Sequence, residues 1–408
     1  MPSPMVQRDD AHQADEGAFG QGHRLRVTVV LSGLGAGGAE RVVSLLVREW
    51  VARGWEVEIL SFDALDATAY HGLPEQVSLV CNPDRGRPVP FGTAFQMAGR
   101  LLFLRRQLAR RRPDLIVSFL TKVNVLTLLA QVGRTVPVII CERNNPQRQS
   151  VRSVWRRLQD WLAPRATLVL QTSRSREAFG KRALRHAHVI ANPVEMPADV
   201  SDPAVTNVVA AGRLVEQKGF DLLVSAFSRL AADFPDWGLI IFGDGPLRSA
   251  LERQIGSLAL GGRVTLPGIS TVPRGWLPSG SILALSSRYE GFPNVLLEAM
   301  AAGKAVVSFD CDFGPSDIIE DGIDGLLAAA EDVDALEAAL RRVMSDPDFR
   351  ATLGQAARRK AGQFSLDVIM KDWDAVIADA LDRRVPAGRP EGRSRSGGSA
   401  TRVRERLG

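Results

Sequence analysis

The sequence predicts an α/β fold made of two similar halves, each a parallel sheet covered by helices. Short apolar runs alternate with helical segments from residue 26 onward, which indicates β-α-β units. The alternation restarts after residues 192–197, a proline-bearing segment that reads as a linker. The 37 glycines suit the many loop-to-helix turns of such a fold.

In the first half, apolar runs predict five strands, and a helix is predicted over residues 39–53. The predicted strands cover residues 26–31, 57–62, 115–119, 136–141 and 167–171. Because strands that alternate with helices pair in parallel, these runs predict one sheet with helices on both faces.

The second half repeats the pattern with five further strands. They are predicted at residues 207–211, 239–242, 264–266, 282–285 and 306–309, and helices follow at 331–344 and 346–363. The last helix, over 364–381, is amphipathic and carries its apolar residues on one face: Ile369, Trp373, Val376, Ile377 and Ala380. Polar residues 1–23 and the basic segment 385–408 are predicted to be disordered.

The amino-acid composition and net charge of the chain limit the classes of function to be considered. A net charge of +5 and a pI of about 9.4 are compatible with nucleic acid or an anionic membrane as a partner. No zinc-ligand spacing or ribonucleoprotein-type aromatic motif appears, so nucleic acid is not expected. Three widely spaced cysteines indicate a reducing compartment. The polar start and the interruption of the apolar run 115–130 by Lys122 and Asn124 argue against a signal peptide or a membrane span. We therefore expect a protein that is cytoplasmic or lies on the inner face of a membrane.

Residues 287–303 carry the densest group of candidate site residues. A Gly-Phe-Pro turn follows a buried strand, and Pro293 stands where a helix favours its first residue. Glu290 precedes this helix, and Glu298 lies about two turns inside it. Free N–H groups between them predict an anion site. The layout suits a nucleotide-sugar, with diphosphate at the helix end, ribose on one carboxylate and the transferred sugar on the other.

Two other strand-to-helix turns add phosphate-binding potential. Gly212 and Arg213 follow a predicted strand, and Lys218 stands five residues after Arg213. A guanidinium and an ammonium at this spacing can grip both phosphates of a diphosphate. Gly243 and Gly245 form a third turn, which permits close backbone approach to a ligand.

The first glycine-rich loop leaves an alternative open. Gly33, Gly35 and Gly38 satisfy G-x-G-x-x-G, and Asp63 ends the second predicted strand. That is the dinucleotide fingerprint of an NAD-dependent oxidoreductase. A dehydrogenase has no use for the second phosphate-binding half, so a nucleotide-sugar enzyme is favoured. A catalytically silent nucleotide-binding protein is the third alternative.

The segment around Glu290 and Glu298 resembles the donor-site signature of the retaining glycosyltransferases of family four, which have the GT-B fold. The loop at 37–41 and the Gly-Arg-Leu-x-x-x-Lys-Gly run from residue 212 resemble the same family. The resemblance implies two Rossmann-like domains facing across a cleft. Residues 24–194 would bind the acceptor, residues 195–363 the nucleotide-sugar, and the helix 364–384 would cross back onto the first domain.

The same resemblance implies the site chemistry. Glu290 would face the donor sugar, while Arg213 and Lys218 would stabilise the leaving diphosphate. A UDP-sugar is the expected donor, and neither a metal ion nor another cofactor is expected. No separate general base is needed, because the leaving phosphate can accept the proton of the acceptor. The donor-binding candidates are Gly37, Gly38, Gly212, Gly243, Gly245, Gly291, Phe292, Pro293, Asn294, Val295 and Glu298.

Acceptor or sugar recognition is predicted in the first half. Glu142, Arg143 and Asn144 follow a strand and resemble a segment of enzymes that build exopolysaccharide and lipid-linked oligosaccharide. Burying consecutive polar groups costs free energy unless they form hydrogen bonds. These residues are therefore expected either to recognise the acceptor or sugar or to anchor their loop. Lys122 and Asn124 end the preceding strand and are predicted to face the same space. Many relatives place a histidine near there, and this segment has none.

A second surface points to a lipid acceptor. Residues 151–162 place apolar side chains at helical spacing beside arginines, and 99–112 add a similar segment. Such basic amphipathic segments can lie in a membrane interface, and ordinary core packing is the alternative. The predicted membrane stripe is Val151, Val154, Trp155, Leu158, Trp161 and Leu162. A lipid-linked saccharide or polysaccharide of the bacterial envelope is the expected acceptor of a hexose or N-acetylhexosamine.

Overall fold

The computed structural model describes residues 24–62, 69–82, 92–143, 153–198, 202 and 204–383. These residues form two α/β domains of parallel strands and helices, so the predicted fold class is confirmed. The predicted terminal segments 1–23 and 385–408 lie outside the described residues, as do the candidate residues Asp63, Asn144 and Val151.

The first domain is a seven-stranded sheet in the order β3-β2-β1-β4-β5-β6-β7. Its strands are β1 Arg26–Leu31, β2 Glu56–Ser61, β3 Ser78–Cys81, β4 Leu115–Phe119, β5 Val138–Cys141, β6 Thr167–Leu170 and β7 Ala187–Val189. Its helices are α1 Gly38–Ala52, α2 Gly92–Arg111, α3 Thr121–Ala130 and α4 Ser153–Leu162. Every strand pair is parallel, as crossover helices require.

The second domain is a six-stranded parallel sheet in the order β10-β9-β8-β11-β12-β13. Its strands are β8 Asn207–Ala211, β9 Gly238–Phe242, β10 Val264–Gly268, β11 Ile282–Leu285, β12 Ala305–Asp310 and β13 Leu326–Ala329. The helices are α5 Phe220–Leu230, α6 Arg248–Ser257, α7 Asn294–Ala301, α8 Pro315–Ile318, α9 Val333–Ser345, α10 Pro347–Ala361 and α11 Leu366–Asp382.

The predicted strand set was incomplete at the sheet edges. β3, β7 and β13 were not predicted, and residues 167–171 do not close the first sheet. All three missed strands lie at an edge, are three or four residues long, and keep exposed or half-exposed positions. An edge strand packs less of its surface than a central one, so its sequence lacks the continuous apolar run that marks β1 or β4.

Helix α11 returns to the first domain, as the fold prediction expected. Trp373 is fully buried against α1, where its ring meets Trp50 edge-on at a centroid distance of 6.1 Å. Arg53, the C-cap residue of α1, pairs with Asp374 at 2.5 Å. The predicted apolar face is buried throughout, and its members are Ile369, Trp373, Val376, Ile377 and Ala380. The chain therefore passes from the first domain to the second and back.

Each sheet has one point where its strand order reverses direction, between β1 and β4 in the first and between β8 and β11 in the second. Ligands of open parallel sheets bind beyond the carboxyl ends of the strands at such points. The glycine-rich loop at 33–38 follows β1, and Gly212 and Glu290 follow β8 and β11. Within the described part of the chain, no helix is long and apolar enough to cross a membrane.

Candidate functional site

A cleft between the two domains gathers residues from both reversal points. The first domain contributes Ala36, Gly37, Gly38, Arg41, Tyr70 and His71. The second domain contributes Ala211, Gly212, Arg213, Phe242, Gly243, Asp244, Ile269, Ser270, Pro273, Arg274, Trp276, Asn294, Val295 and Glu298. The cleft therefore contains eight of the predicted site residues: Gly37, Gly38, Gly212, Arg213, Gly243, Asn294, Val295 and Glu298.

The start of α7 forms one wall of the cleft. Pro293 is the N-cap rather than the first helical residue, so the predicted helix start shifts by one position to Asn294. The Asn294 side chain donates to the Gly38 carbonyl oxygen at 2.9 Å and thereby bridges the domains. A Cβ on Gly38 would lie 3.1 Å from Asn294 Nδ2, so glycine permits this close approach. The helix end therefore opens directly onto the glycine-rich loop opposite.

Two glycine turns form the floor on the side of the second domain. Gly212 donates to the Phe242 carbonyl at 2.9 Å, and Gly243 donates to the Gly268 carbonyl at 2.8 Å. Gly243 has φ +141°, a conformation that favours glycine. The three neighbouring strand ends are thus joined by main-chain hydrogen bonds. Gly245 lies behind this floor, against the Leu214 backbone.

Glu298 is the buried carboxylate of the cleft. Its side chain is 11% exposed, and one oxygen lies 3.6 Å from Arg41 Nε of the first domain. Burial raises the pKa of Glu298 to about 7, against the lowering effect of the Arg41 and Arg274 charges. Near neutral pH this carboxyl group therefore exchanges readily between its ionised and neutral forms.

Glu195, in the linker, connects the domains through three arginines. Its carboxylate lies 2.6 Å from Arg41 and 2.9 Å from Arg48, both on α1, and 2.8 Å from Arg274 of the second domain. Burial acts to raise the pKa of Glu195, but these three charges leave it below its usual value. Arg41 is therefore shared between the linker and Glu298.

Glu290 and Lys218 are not part of the described cleft lining and form an ion pair with each other. Lys218 Nζ lies 2.6 Å from Glu290 Oε1, and Ser287 donates to the same oxygen at 2.5 Å. The Lys218 stem also packs over Gly212, within 3.2 Å of the position a Cβ would take. Gly291, Phe292 and Pro293 are buried next to this pair. These candidates form a layer behind the cleft, while Arg213 is exposed at its surface.

The acceptor candidates of the first domain are held by internal contacts. Glu142 is buried and accepts hydrogen bonds from Thr121 at 2.7 Å and Gln159 at 3.2 Å. Asn124 is fully buried, accepting from Ser118 and donating to the Cys141 carbonyl. Both side chains therefore anchor loops in this conformation, and their recognition role stays a prediction.

Arg143 and Lys122 differ from those anchors. Arg143 is buried, donates to Asn192 of the linker and lies over the rings of Phe119 and Trp373. Burial lowers the pKa of this guanidinium. Lys122 is exposed at the start of α3. Neither residue belongs to the described lining of the cleft, so their proposed contacts with a sugar also stay predictions.

Helix α4 divides the predicted membrane stripe into two faces. Trp155 and Leu158 pack against the core of the first domain, and Leu162 is buried. Val154 and Trp161 are 59% and 61% exposed. The Arg165 guanidinium lies 4.9 Å from the Trp161 ring centroid. One part of the stripe is core packing, and among its described residues only Val154 and Trp161 present an apolar surface.

Tyr70, His71 and Arg274 are among the cleft residues that were not predicted from the sequence. Tyr70 and His71 come from the loop between β2 and β3, and Arg274 comes from the loop after β10. The Tyr70 hydroxyl donates to the Ser270 carbonyl at 2.9 Å across the cleft. Loops of irregular length have no regular residue spacing from which a site residue could be predicted. The one indication in the sequence was the adjacent Tyr-His pair in a polar loop. Among the described residues, no three His, Cys, Asp or Glu side chains are grouped as metal ligands.

The two domains match two family models. Residues 37–194 match the glycosyl transferase 4-like domain, and residues 199–360 match the glycosyl transferases group 1. Together the two matches extend over most of the chain.

The chain is also similar to curated relatives. The chain is 26% identical over 360 residues to the Campylobacter jejuni enzyme named GalNAc-α-(1→4)-GalNAc-α-(1→3)-diNAcBac-PP-undecaprenol α-1,4-N-acetyl-D-galactosaminyltransferase, covering 87% of this chain and 99% of that one. It is 36% identical over 225 residues to the exopolysaccharide phosphotransferase SCO2592 of Streptomyces coelicolor. That match covers 53% of this chain and only 24% of the phosphotransferase.

Solved structures share the fold. Sucrose-phosphate synthase from Thermosynechococcus elongatus has a TM-score of 0.76 at 17% identity, with 88% of this chain and 100% of that one covered. Anabaena Alr3699/HepE in complex with UDP and glucose has a TM-score of 0.73 at 22% identity, with the same coverage. With both domain models matched in order and this fold observed, the chain belongs to the GT-B glycosyltransferases.

Proposed function

We propose that the chain is a retaining glycosyltransferase that moves a hexose or N-acetylhexosamine from a UDP-sugar to a lipid-linked or polysaccharide acceptor. The observation that carries the proposal is the interdomain cleft, which combines a helix N-terminus, two glycine turns, Arg213 and the buried Glu298. An anionic diphosphate suits the helix end and the guanidinium, and a ribose hydroxyl suits the carboxylate.

In this proposal the uridine lies between β9 and the loop after β10, with its ribose on Glu298. The diphosphate then reaches the start of α7, near Gly38 and Arg213. The transferred sugar lies beside the Glu290 and Lys218 pair, which is held at the end of β11. HepE, whose fold is shared, was solved with UDP and with UDP-glucose, which supports the choice of nucleotide.

Catalysis in this arrangement rests on orientation and electrostatics. As the glycosidic bond breaks, negative charge develops on the diphosphate, and Arg213 and Lys218 stabilise it. The leaving phosphate oxygen accepts the acceptor proton on the same face of the sugar, so the anomeric configuration is retained. Because the two cations supply the positive charge, we propose that no divalent metal ion is required.

The acceptor is proposed to be a saccharide on a membrane lipid. The Campylobacter relative is named for an undecaprenol-linked saccharide substrate, and the match covers nearly its whole length. The exposed face of α4, with Trp161 and Val154 beside arginines, fits a peripheral position on an anionic membrane. We place the enzyme on the cytoplasmic side of the bacterial envelope.

A panel of nucleotide-sugars tests the proposal. The purified protein should hydrolyse or transfer sugar from one UDP-sugar, and proton NMR of the early product should show the anomeric configuration of the donor. EDTA should leave turnover unchanged. Inversion at the anomeric carbon would refute the retaining mechanism. Tight NAD binding with no response to UDP, measured by calorimetry, would refute the nucleotide-sugar assignment.

A further inference from the structure

His71 occupies the cleft wall on the side of the first domain, opposite Glu298. Its Nε2 lies 3.2 Å from the Gly37 carbonyl oxygen, so Nε2 carries the proton and donates it there. Nδ1 is then an unprotonated acceptor. It is buried from solvent, and among the residues that the structure describes no hydrogen-bond donor meets it.

The ring is neutral near pH 7. Burial, followed by the charge of Arg41, lowers the pKa of His71 to about 4, although the bond to the Gly37 carbonyl acts in the other direction. A neutral imidazole with one nitrogen donating offers its other nitrogen only as an acceptor. Leaving a buried acceptor without a donor is unfavourable, so a partner that arrives with the substrate would complete the site.

The surroundings of His71 identify the part of the substrate that can reach it. The neighbouring Tyr70 ring packs edge-on at 4.9 Å, and its hydroxyl reaches the Ser270 carbonyl of the other domain. The negative charge of Glu298 contributes to the raised pKa of Tyr70, after the larger effect of burial. Arg41, whose Nε lies 3.6 Å from a Glu298 oxygen, also lowers the pKa of His71, so His71 and Glu298 both lie near the same guanidinium.

We infer that His71 Nδ1 accepts a hydrogen bond from one ribose hydroxyl of the bound nucleotide, while Glu298 takes the other. The inference rests on the proposed function, which places the ribose at Glu298. Ribose has two neighbouring hydroxyl donors, and His71 and Glu298 would supply one acceptor from each domain. The contact would make nucleotide affinity depend on both domains being in place.

Two substitutions separate the acceptor atom from the rest of the ring. In His71→Gln the amide nitrogen can replace Nε2 and keep the bond to Gly37, but no acceptor stands at the position of Nδ1. In His71→Asn the amide oxygen can replace Nδ1, but the bond to Gly37 is lost. The pair thus distinguishes a contact with substrate from a role in holding the glycine-rich loop.

Calorimetry with UDP, 2′-deoxy-UDP and 3′-deoxy-UDP provides the test, with thermal unfolding of each variant as the check on folding. The wild type should bind each deoxy analogue about tenfold more weakly than UDP, the scale of one buried hydrogen bond, because each analogue lacks a hydroxyl that His71 or Glu298 contacts. His71→Gln should bind UDP about tenfold more weakly and no longer discriminate against one of the two analogues, whereas His71→Asn should keep most of the discrimination against that analogue.

Two results would overturn the inference: full discrimination in His71→Gln, or an equal loss in both variants, which would indicate a structural role toward Gly37. A wild-type protein that does not bind UDP would instead refute the proposed function, and this inference with it.

Discussion

At the residue scale, Glu290 and Glu298 occupy different layers of the same site. Glu298 lines the cleft, whereas Glu290 is held behind it by Lys218 and Ser287. The two carboxylates, eight positions apart, therefore lie in different environments. We expect Glu290 to affect the rate of transfer and Glu298 to affect the affinity for UDP.

Glu290→Gln is expected to slow transfer by roughly 100-fold or more while the dissociation constant of UDP changes less than about threefold. The carboxylate contacts Lys218 at the proposed sugar position rather than the nucleotide lining. Steady-state kinetics and calorimetry on the same preparation measure both quantities. Glu216→Gln, on the exposed side of the same turn as Lys218, is the matched control. Wild-type turnover in the Glu290 variant would end its assignment to the reaction.

The pKa of Glu298 predicts that nucleotide binding depends on pH. Burial raises its pKa to about 7, so the carboxylate forms as pH rises through neutrality. An ionised acceptor binds a hydroxyl more strongly than a neutral one by about 1 kcal/mol, or about fivefold. UDP affinity should therefore rise between pH 6 and 8 more steeply in the wild type than in Glu298→Gln. Since UDP itself titrates equally in both titrations, parallel curves would show that Glu298 does not contact the nucleotide.

At the scale of single elements, α4 shows how one amphipathic pattern serves two purposes. Trp155 faces inward against the core of the first domain, and Trp161 faces outward beside Arg165. A stripe of apolar residues at helical spacing predicts that a helix forms, but it does not predict how much of the helix surface is buried. The packing of α3 against α4 determines the buried part.

Trp161→Ser is expected to weaken binding to anionic liposomes by about tenfold with little effect on unfolding, since the ring is 61% exposed. Trp155→Ser should lower the free energy of unfolding by about 2–4 kcal/mol, because it leaves a cavity beside the core. Cosedimentation at increasing salt and chemical denaturation measure the two effects. Liposome binding that ignores both lipid charge and Trp161 would refute the membrane surface.

At the scale of the whole molecule, the linker is a structural centre rather than a passive connection. Glu195 forms ion pairs with two arginines of α1 and with one arginine of the loop after β10. Asn192 donates to Asn294 at 2.5 Å and accepts from Arg143. The contacts that join the domains therefore converge within a few residues of the hinge and extend into the cleft.

Glu195→Gln should loosen the contact between the domains. Three guanidinium groups would lose their shared partner, at a cost of about 2 kcal/mol for this partly buried cluster. We expect a larger radius of gyration in small-angle scattering without ligand, a weaker affinity for UDP, and a return toward wild-type size at saturating UDP. Asp114→Asn, which removes the exposed partner of Arg26 within the first sheet, is the control. Unchanged scattering and affinity would show that Glu195 does not hold the domains together.

The sequence by itself determined the central strands of both sheets, the crossover helix and the side of the cleft that the second domain contributes. These features depend on local rules: β1 and β4 are continuous apolar runs, α11 has a single apolar face, and Gly212 and Gly243 stand at strand ends. The strand ends of a parallel sheet converge at one edge, so predicting the order of elements also predicted that Arg213, Glu298 and the glycine turns would meet.

Only the tertiary structure decided which residues face these groups from elsewhere in the chain. His71 and Tyr70 come from one loop, Arg274 from another and Glu195 from the linker, with no common spacing. The engagement of Glu290 by Lys218, 72 residues earlier, and the exposure of one face of α4 are likewise invisible to local patterns. Such contacts depend on how two sheets are placed relative to each other, and the free energy of that placement is distributed over the whole interface rather than encoded in any single segment.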